Sequence, residues 1–163
     1  QMGLKPTSRV PELGNTIGNE LLKVHVSYGP LIQKLLKKFN RGSPSRPSRK
    51  VSTARRDACP AICGIAHITG GGFVDNIPRV LPKRCDVLIR KGTWDMPPIF
   101  ELIRAKGGVP DDELYQVFNM DSGMVLIVSA DQAVNVMKSI HAQKQRAWLI
   151  GQVAKGRGVV RLV

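Results

Sequence analysis

The sequence predicts an α/β chain, an α+β sandwich in which one mixed sheet is flanked by helices, and three observations point there. The runs 85–89 and 124–128 have the length and apolar content of buried strands. Segments whose apolar residues recur at helical spacing separate such runs. Gly and Pro punctuate the junctions between them. Interleaved helices and strands in 163 residues fit one compact layered domain.

The elements follow in order. Residues 1–20 carry Pro6, Pro11 and several glycines and read as loop with at most a short helix. Residues 30–39 place apolar side chains at 31, 32, 35, 36 and 39, a helical face opened by Pro30. Residues 41–60 are rich in Ser, Pro and Arg without apolar periodicity and read as a basic flexible insertion, since ordering them would cost backbone entropy with little burial in return. A strand at 61–68 follows, then 85–89. Residues 98–106 suit a helix that Gly107 and Gly108 end. Residues 111–119 begin with acids, which match the positive end of a helix. After the strand 124–128, Ser129-Ala130-Asp131-Gln132 has capping-box spacing and opens a helix running to about His141. Residues 146–153 and 158–163 close the chain as two strands.

Three consecutive glycines, Gly70, Gly71 and Gly72, join the 61–68 strand to a helical turn. Glycine has no Cβ to hold an anion away from the backbone N–H groups, so the junction is a candidate phosphate cradle. His67 and Thr69 lie two residues apart and share one face of an extended strand, beside that loop. Pro78 belongs in a first turn, which starts the helix near Asp75 or Asn76 and makes Asn76 a candidate cap, with Arg79 within a turn of the same anion. The run matches neither a P-loop nor a dinucleotide fingerprint, and from the residues alone three glycines and a lone His are more often a tight turn with a structural histidine than an anion site.

Composition excludes several classes. An apolar content of 42% is that of a globular chain, no apolar stretch has membrane-spanning length, and the first residues lack a signal-peptide core. Three cysteines, an odd number, argue against a disulfide framework and suit a reducing cytoplasm. Cys59 and Cys63 with His67 lack a second ligand pair, so no metal site is expected. The net charge of +13 is partly local: Arg41, Arg46, Arg49, Lys50, Arg55 and Arg56 face a single Asp57. It would suit nucleic acid or phosphorylated substrates.

The run from Ala66 to Pro82 resembles the aminoimidazole ribonucleotide synthetase (phosphoribosylformylglycinamidine cyclo-ligase) family. The resemblance extends through Val10-Pro11-Glu12-Leu13-Gly14, Trp94-x-x-Pro97-Pro98-Ile99-Phe100, Glu113-Leu114-Tyr115-x-x-Phe118-Asn119-Met120 and Ala147-Trp148-x-Ile150-Gly151, in the family's order. It covers most of the chain apart from the basic segment and looks like that family's C-terminal domain. What it implies is an ATP-dependent ring closure of formylglycinamidine ribonucleotide in purine biosynthesis, with ATP and Mg2+ held mainly by an N-terminal ATP-binding domain to which nothing here corresponds. It also implies a cytoplasmic homodimer, a phosphorylated ribonucleotide substrate, and no membrane or specific nucleic-acid partner. By the same resemblance His67, Thr69 and Gly70 to Gly72 line the cleft facing the other domain, Asn119 and Gly123 pack beside it, and the isolated chain is inactive. No catalytic residue is assigned.

The chain departs from the family at Val24-His25-Val26, where Pro-Thr-Arg is usual, and at Asp121-Ser122, where Gly and an apolar residue are usual. The first change removes a bidentate phosphate ligand. The second puts a charged side chain into a turn that needs left-handed geometry. Two other readings remain open on sequence: another ATP-using relative, of the selenophosphate synthetase or thiamine-phosphate kinase type, and a non-catalytic basic binding module.

Overall fold

A computed structural model of the chain describes residues 3–40 and 60–163; the 41–60 insertion lies outside them except for Pro60. Two short strands, β1 (Arg9–Val10) and β2 (Asn15–Thr16), pair antiparallel around a 3-10 turn. Thr16 caps the short helix α1 (Ile17–Leu21) by accepting the Asn19 N–H at 3.2 Å. Helix α2 (Gly29–Phe39) has Pro30 in its first turn and buries Leu35.

Strand β3 (Ile62–His67) pairs antiparallel with β5 (Met124–Val128). Strand β4 (Cys85–Ile89) is the centre of a mixed sheet, antiparallel to β6 (Gly151–Lys155) and parallel to β7 (Val160–Leu162). The fold class is therefore α/β with a mixed sheet flanked by helices, and the β3–β5 ladder stands as a separate pair among the described residues. Helices α3 (Gly72–Asn76), α4 (Pro98–Gly107), α5 (Asp111–Val117) and α6 (Ala133–His141) complete the order. Gly108, at φ 62°, ends α4 in the left-handed conformation expected of a C-terminal glycine.

Several element boundaries differ from expectation: α5 stops at Val117 and not at 119, and β3 covers Ile62–His67 within the expected 61–68. The Ser129 side chain makes no cap; the Gln132 N–H bonds its backbone carbonyl at 3.0 Å and a 3-10 turn (Ala130–Gln132) precedes α6. Residues 146–150 are not strand, because β6 begins at Gly151 opposite Ile89, where its partner β4 ends. Strand β7 begins only at Val160, since 156–159 form the turn that brings it back.

Two cores hold these layers. Phe73, Ile77, Ile89, Trp94, Leu114 and Met120 fill the one between the mixed sheet and helices α3 and α5. The Phe73 and Trp94 rings lie 5.6 Å apart and the Trp94 indole N–H donates to the Met120 carbonyl at 2.9 Å, so the buried ring leaves no orphan donor. Leu35, Ile62, Val136 and Ile140 join α2 and α6 to the β3–β5 ladder. Asn40, just past α2, pairs with both backbone groups of Ile62 at 3.0 Å.

One buried charge organises the mixed sheet. Asp86, on β4, is 2% exposed. Its Oδ1 accepts the N–H groups of Arg157, Gly158 and Val159 at 2.6, 3.1 and 3.1 Å, and its Oδ2 meets the Arg161 guanidinium at 2.9 Å. A Cβ on Gly156 would overlap that carboxylate, so glycine is required where the turn crosses it.

Candidate functional site

Strand β3 delivers its chain into a β-turn over 69–72, closed by the Gly72 N–H on the Thr69 carbonyl at 3.0 Å. Gly71, at φ 91° and ψ −2°, has the backbone of the third residue of a type II turn, which demands glycine. Gly72, at φ 54°, is pressed against the Tyr115 carbonyl of α5, where a Cβ would overlap backbone. Gly70 is different: it is exposed, and a Cβ there meets nothing within 4 Å. The N–H groups of Gly70 and Gly71 have no hydrogen-bond partner among the described residues.

Asn76 corrects the expected helix start. Helix α3 begins at Gly72, with Gly71 in the cap position, and Asn76 sits in its last turn, 4% exposed. Its Nδ2 donates back to the carbonyls of Gly72 at 2.8 Å and Gly70 at 3.2 Å, with Thr69 at 3.4 Å. Asn76 therefore holds the turn from beneath, its amide N–H groups bonded to the turn's own carbonyls. The reason is tertiary: Pro78 opens a separate 3-10 turn (Ile77–Val80), while the contact of Gly72 with α5 fixes where α3 begins.

His67 and Thr69 are exposed on one face, with the alternate residues Ala66 and Ile68 buried. Arg79 is exposed in the 3-10 turn and makes no ion pair among the described residues. The depression at the glycine turn is lined by Gly70, Gly71, Asp75, Glu113, Gln116 and Val117, so, of the candidate residues, His67, Thr69, Gly72, Asn76, Arg79, Asn119 and Gly123 stand outside its lining. Sequence reasoning missed Asp75 and Glu113 as neighbours. Their signal is weak, because only the packing of α3 on α5 brings them together.

The next loop lies alongside. The Ile68 N–H donates to the Gly123 carbonyl at 2.9 Å, which ties the end of β3 to the turn before β5. In that turn Met120 and Asp121 have φ 49° and 65°, and the Asn119 Oδ1 accepts the Asp121 N–H at 3.1 Å. The left-handed geometry expected at Asp121 is thus present, and Arg146 meets its carboxylate at 3.1 Å while lying 5.1 Å over the Trp148 ring. Tyr28 packs on Gly123, where a Cβ would come within 2.6 Å of the hydroxyl. Burial pushes the Tyr28 hydroxyl above its usual pKa, the Asp121 charge adds to this, and a hydrogen bond from the Gly123 backbone opposes it. Asn119 and Gly123 are parts of this support. A separate, largely apolar cavity of about 690 Å³ lies between α2, α6, β5 and the stretch leading into β6, away from the glycine turn.

In sequence, the profile of the family described as AIR synthase related protein, C-terminal domain, matches residues 24–163. A phosphoribosylformylglycinamidine cyclo-ligase of Syntrophotalea carbinolica is 38% identical over 154 residues, covering 94% of this chain and 38% of the relative. One from Caldicellulosiruptor bescii is 41% identical over 150 residues, covering 91% of this chain and 38% of its own length. A third, from Bacillus pumilus, is 47% identical over 96 residues, 59% of this chain and 28% of the relative. The chain thus spans about two fifths of the length of the first two relatives.

Proposed function

The chain belongs to the AIR synthase related protein C-terminal domain family, and from that premise we propose that it is part of an ATP-dependent cyclo-ligase of purine biosynthesis. The whole enzyme would convert formylglycinamidine ribonucleotide to aminoimidazole ribonucleotide. ATP supplies the phosphoryl group that activates the amide oxygen, an internal nitrogen closes the ring, and ADP and phosphate leave. The names of the relatives support this over another ATP-using enzyme or a binding module.

This chain's own contribution is the turn at 69–72. The observation that carries the reading is a pair of N–H groups, on Gly70 and Gly71, without a partner among the described residues, in a turn fixed from beneath by buried Asn76. Oriented donors that need no reorganisation are what a phosphate or a transferring phosphoryl group requires. His67 and Thr69, exposed at the end of β3, would position the rest of that ligand. Asp75 and Glu113 beside the turn disfavour a bare anion, so the phosphate would bind with its charge offset by a cation or by groups of another domain.

Among the described residues no group of three or more His, Cys, Asp or Glu is placed to hold a metal. By the resemblance, ATP and its magnesium are assigned mainly to an N-terminal ATP-binding domain. The side chains Leu21, Leu22 and Val24, 70%, 80% and 94% exposed, offer that domain an apolar contact. No helix among the described residues is long and apolar enough to cross a membrane; a cytoplasmic location is proposed from the resemblance. A homodimer is the assembly proposed from the resemblance.

The test uses Gly70, because Gly71 and Gly72 carry positive φ and their substitution strains the fold. With the chain joined to the N-terminal part of a relative, Gly70→Val is expected to raise KM for the ribonucleotide by about tenfold or more, a loss of about 1.4 kcal/mol. Its melting temperature should not move. Unchanged kinetics would remove the turn from the site. The chain by itself is expected not to turn over ATP, and steady-state ADP release proportional to its concentration would overturn that assignment.

A further inference from the structure

A second surface stands apart from the glycine turn. The turn between β6 and β7 closes over the start of β4: the Gly156 N–H donates to the Arg84 carbonyl at 2.8 Å, and Lys155 pairs in register with Cys85. Gly158 lies against the Lys83 backbone, close enough that a Cβ would reach its Cα at 3.5 Å. Lys83, Arg84, Lys155 and Arg157 are thereby gathered at one end of the mixed sheet. All four are exposed, and none forms an ion pair among the described residues. The one acid in 82–91 and 151–163 is Asp86, which is buried and already bonded through both oxygens.

We infer that this turn and the adjoining Lys83 and Arg84 form a surface that binds the phosphodiester backbone of nucleic acid without sequence selection. Three successive N–H groups, at 157–159, converge as in a small-anion nest, but the Asp86 carboxylate fills it. What remains outward is four cationic side chains on a rigid turn, with glycines between them that screen nothing. Such a surface suits an extended polyanion and not a single phosphate. It has no aromatic residue on which a base could stack, so contacts go to the backbone. It also lacks the aromatic and Met anchors that carry protein interfaces, which disfavours an acidic protein partner.

The experiment uses the 163-residue chain and two single-stranded RNAs, one of mixed sequence and one of uridine only, followed by fluorescence anisotropy from about 50 to 200 mM salt. Both RNAs should bind with similar affinity. Replacing Lys83, Arg84, Lys155 and Arg157 together by Ala should weaken binding about tenfold or more and make the log K against log salt slope less negative by about 3, near 0.7 per lost contact. Replacing Lys34, Lys37 and Lys38 on α2 by Ala should change affinity less than about threefold. Should the alanine variant lose its fold, the same four positions changed to Gln give the comparison. The proposal fails if the two surfaces cost the same, if the unmodified chain shows no salt-dependent binding, or if one RNA is strongly preferred. It also fails if poly-glutamate or anionic vesicles compete as well as RNA at equal charge.

Discussion

Asp86→Ala is expected to lower the melting temperature by roughly 6–10 °C, measured by circular dichroism or calorimetry. The substitution removes the acceptor of three N–H groups in the turn and the partner of Arg161, and it leaves a void under Gly156. Asp86→Asn keeps one acceptor oxygen but turns a donor toward the Arg161 guanidinium, so its loss should be intermediate. The pH dependence separates charge from shape. The Arg157 N–H first, then that of Val159, hold the Asp86 carboxyl below its ordinary value; Arg161 adds to this and burial opposes it. A carboxyl lowered in the folded state stabilises fully above its unfolded pKa of about 3.9 and loses that contribution as pH falls through the folded value. The stability difference between the unmodified chain and Asp86→Asn should therefore be constant near neutrality and shrink below about pH 4. A difference that does not change down to pH 2 would show that the charge contributes nothing.

Gly72→Ala is the second large effect. The new methyl would occupy space held by the Tyr115 carbonyl, and the backbone at φ 54° disfavours any L side chain. Left-handed backbone costs about 1–2 kcal/mol and overpacking about 1–3 more, so urea unfolding should report a loss of about 2–5 kcal/mol. Helix α3 can escape the overlap only by moving away from α5, which would open the Phe73, Trp94 and Tyr115 ring cluster. Gly70→Ala, one turn position away from any such neighbour, should cost less than about 0.5 kcal/mol. A loss at Gly72 no larger than about 1–2 kcal/mol, that of left-handed backbone alone, would show that backbone freedom, and not the approach to α5, is what glycine provides there.

The strands 85–89 and 124–128 are legible to the residue because each is a short, mostly apolar run between polar junctions, although nothing in the sequence announces that Asp86 within the first is buried. The α4 terminus is equally plain, since Gly107-Gly108 has one local meaning. Asn76 is not legible: its neighbour Pro78 argues for a late helix start, while a contact between α3 and α5, distant in sequence, sets an early one. Residues 146–150 mislead for a similar reason. Their apolar content suits a strand, but a ladder needs a partner, and β4 ends at Ile89. At the site, the glycines and the adjoining His67 and Thr69 are visible as a motif. Asp75 comes beside it through local i,i+4 geometry, its N–H on the Gly71 carbonyl at 3.1 Å, whereas Glu113 enters only through the packing of α5 on α3, which no spacing in the chain announces.

The Asn40 amide bonds both backbone groups of Ile62, as a neighbouring strand residue would. The chain on either side of 41–59 is thus clasped at its base by one side chain. A clasp of this kind separates the length of a connection from the stability of what it connects. With the ends already fixed, each doubling of the intervening chain adds only about 0.6 kcal/mol of closure entropy. Lengthening, shortening or recharging that connection should therefore cost little while the two flanking elements stay in register.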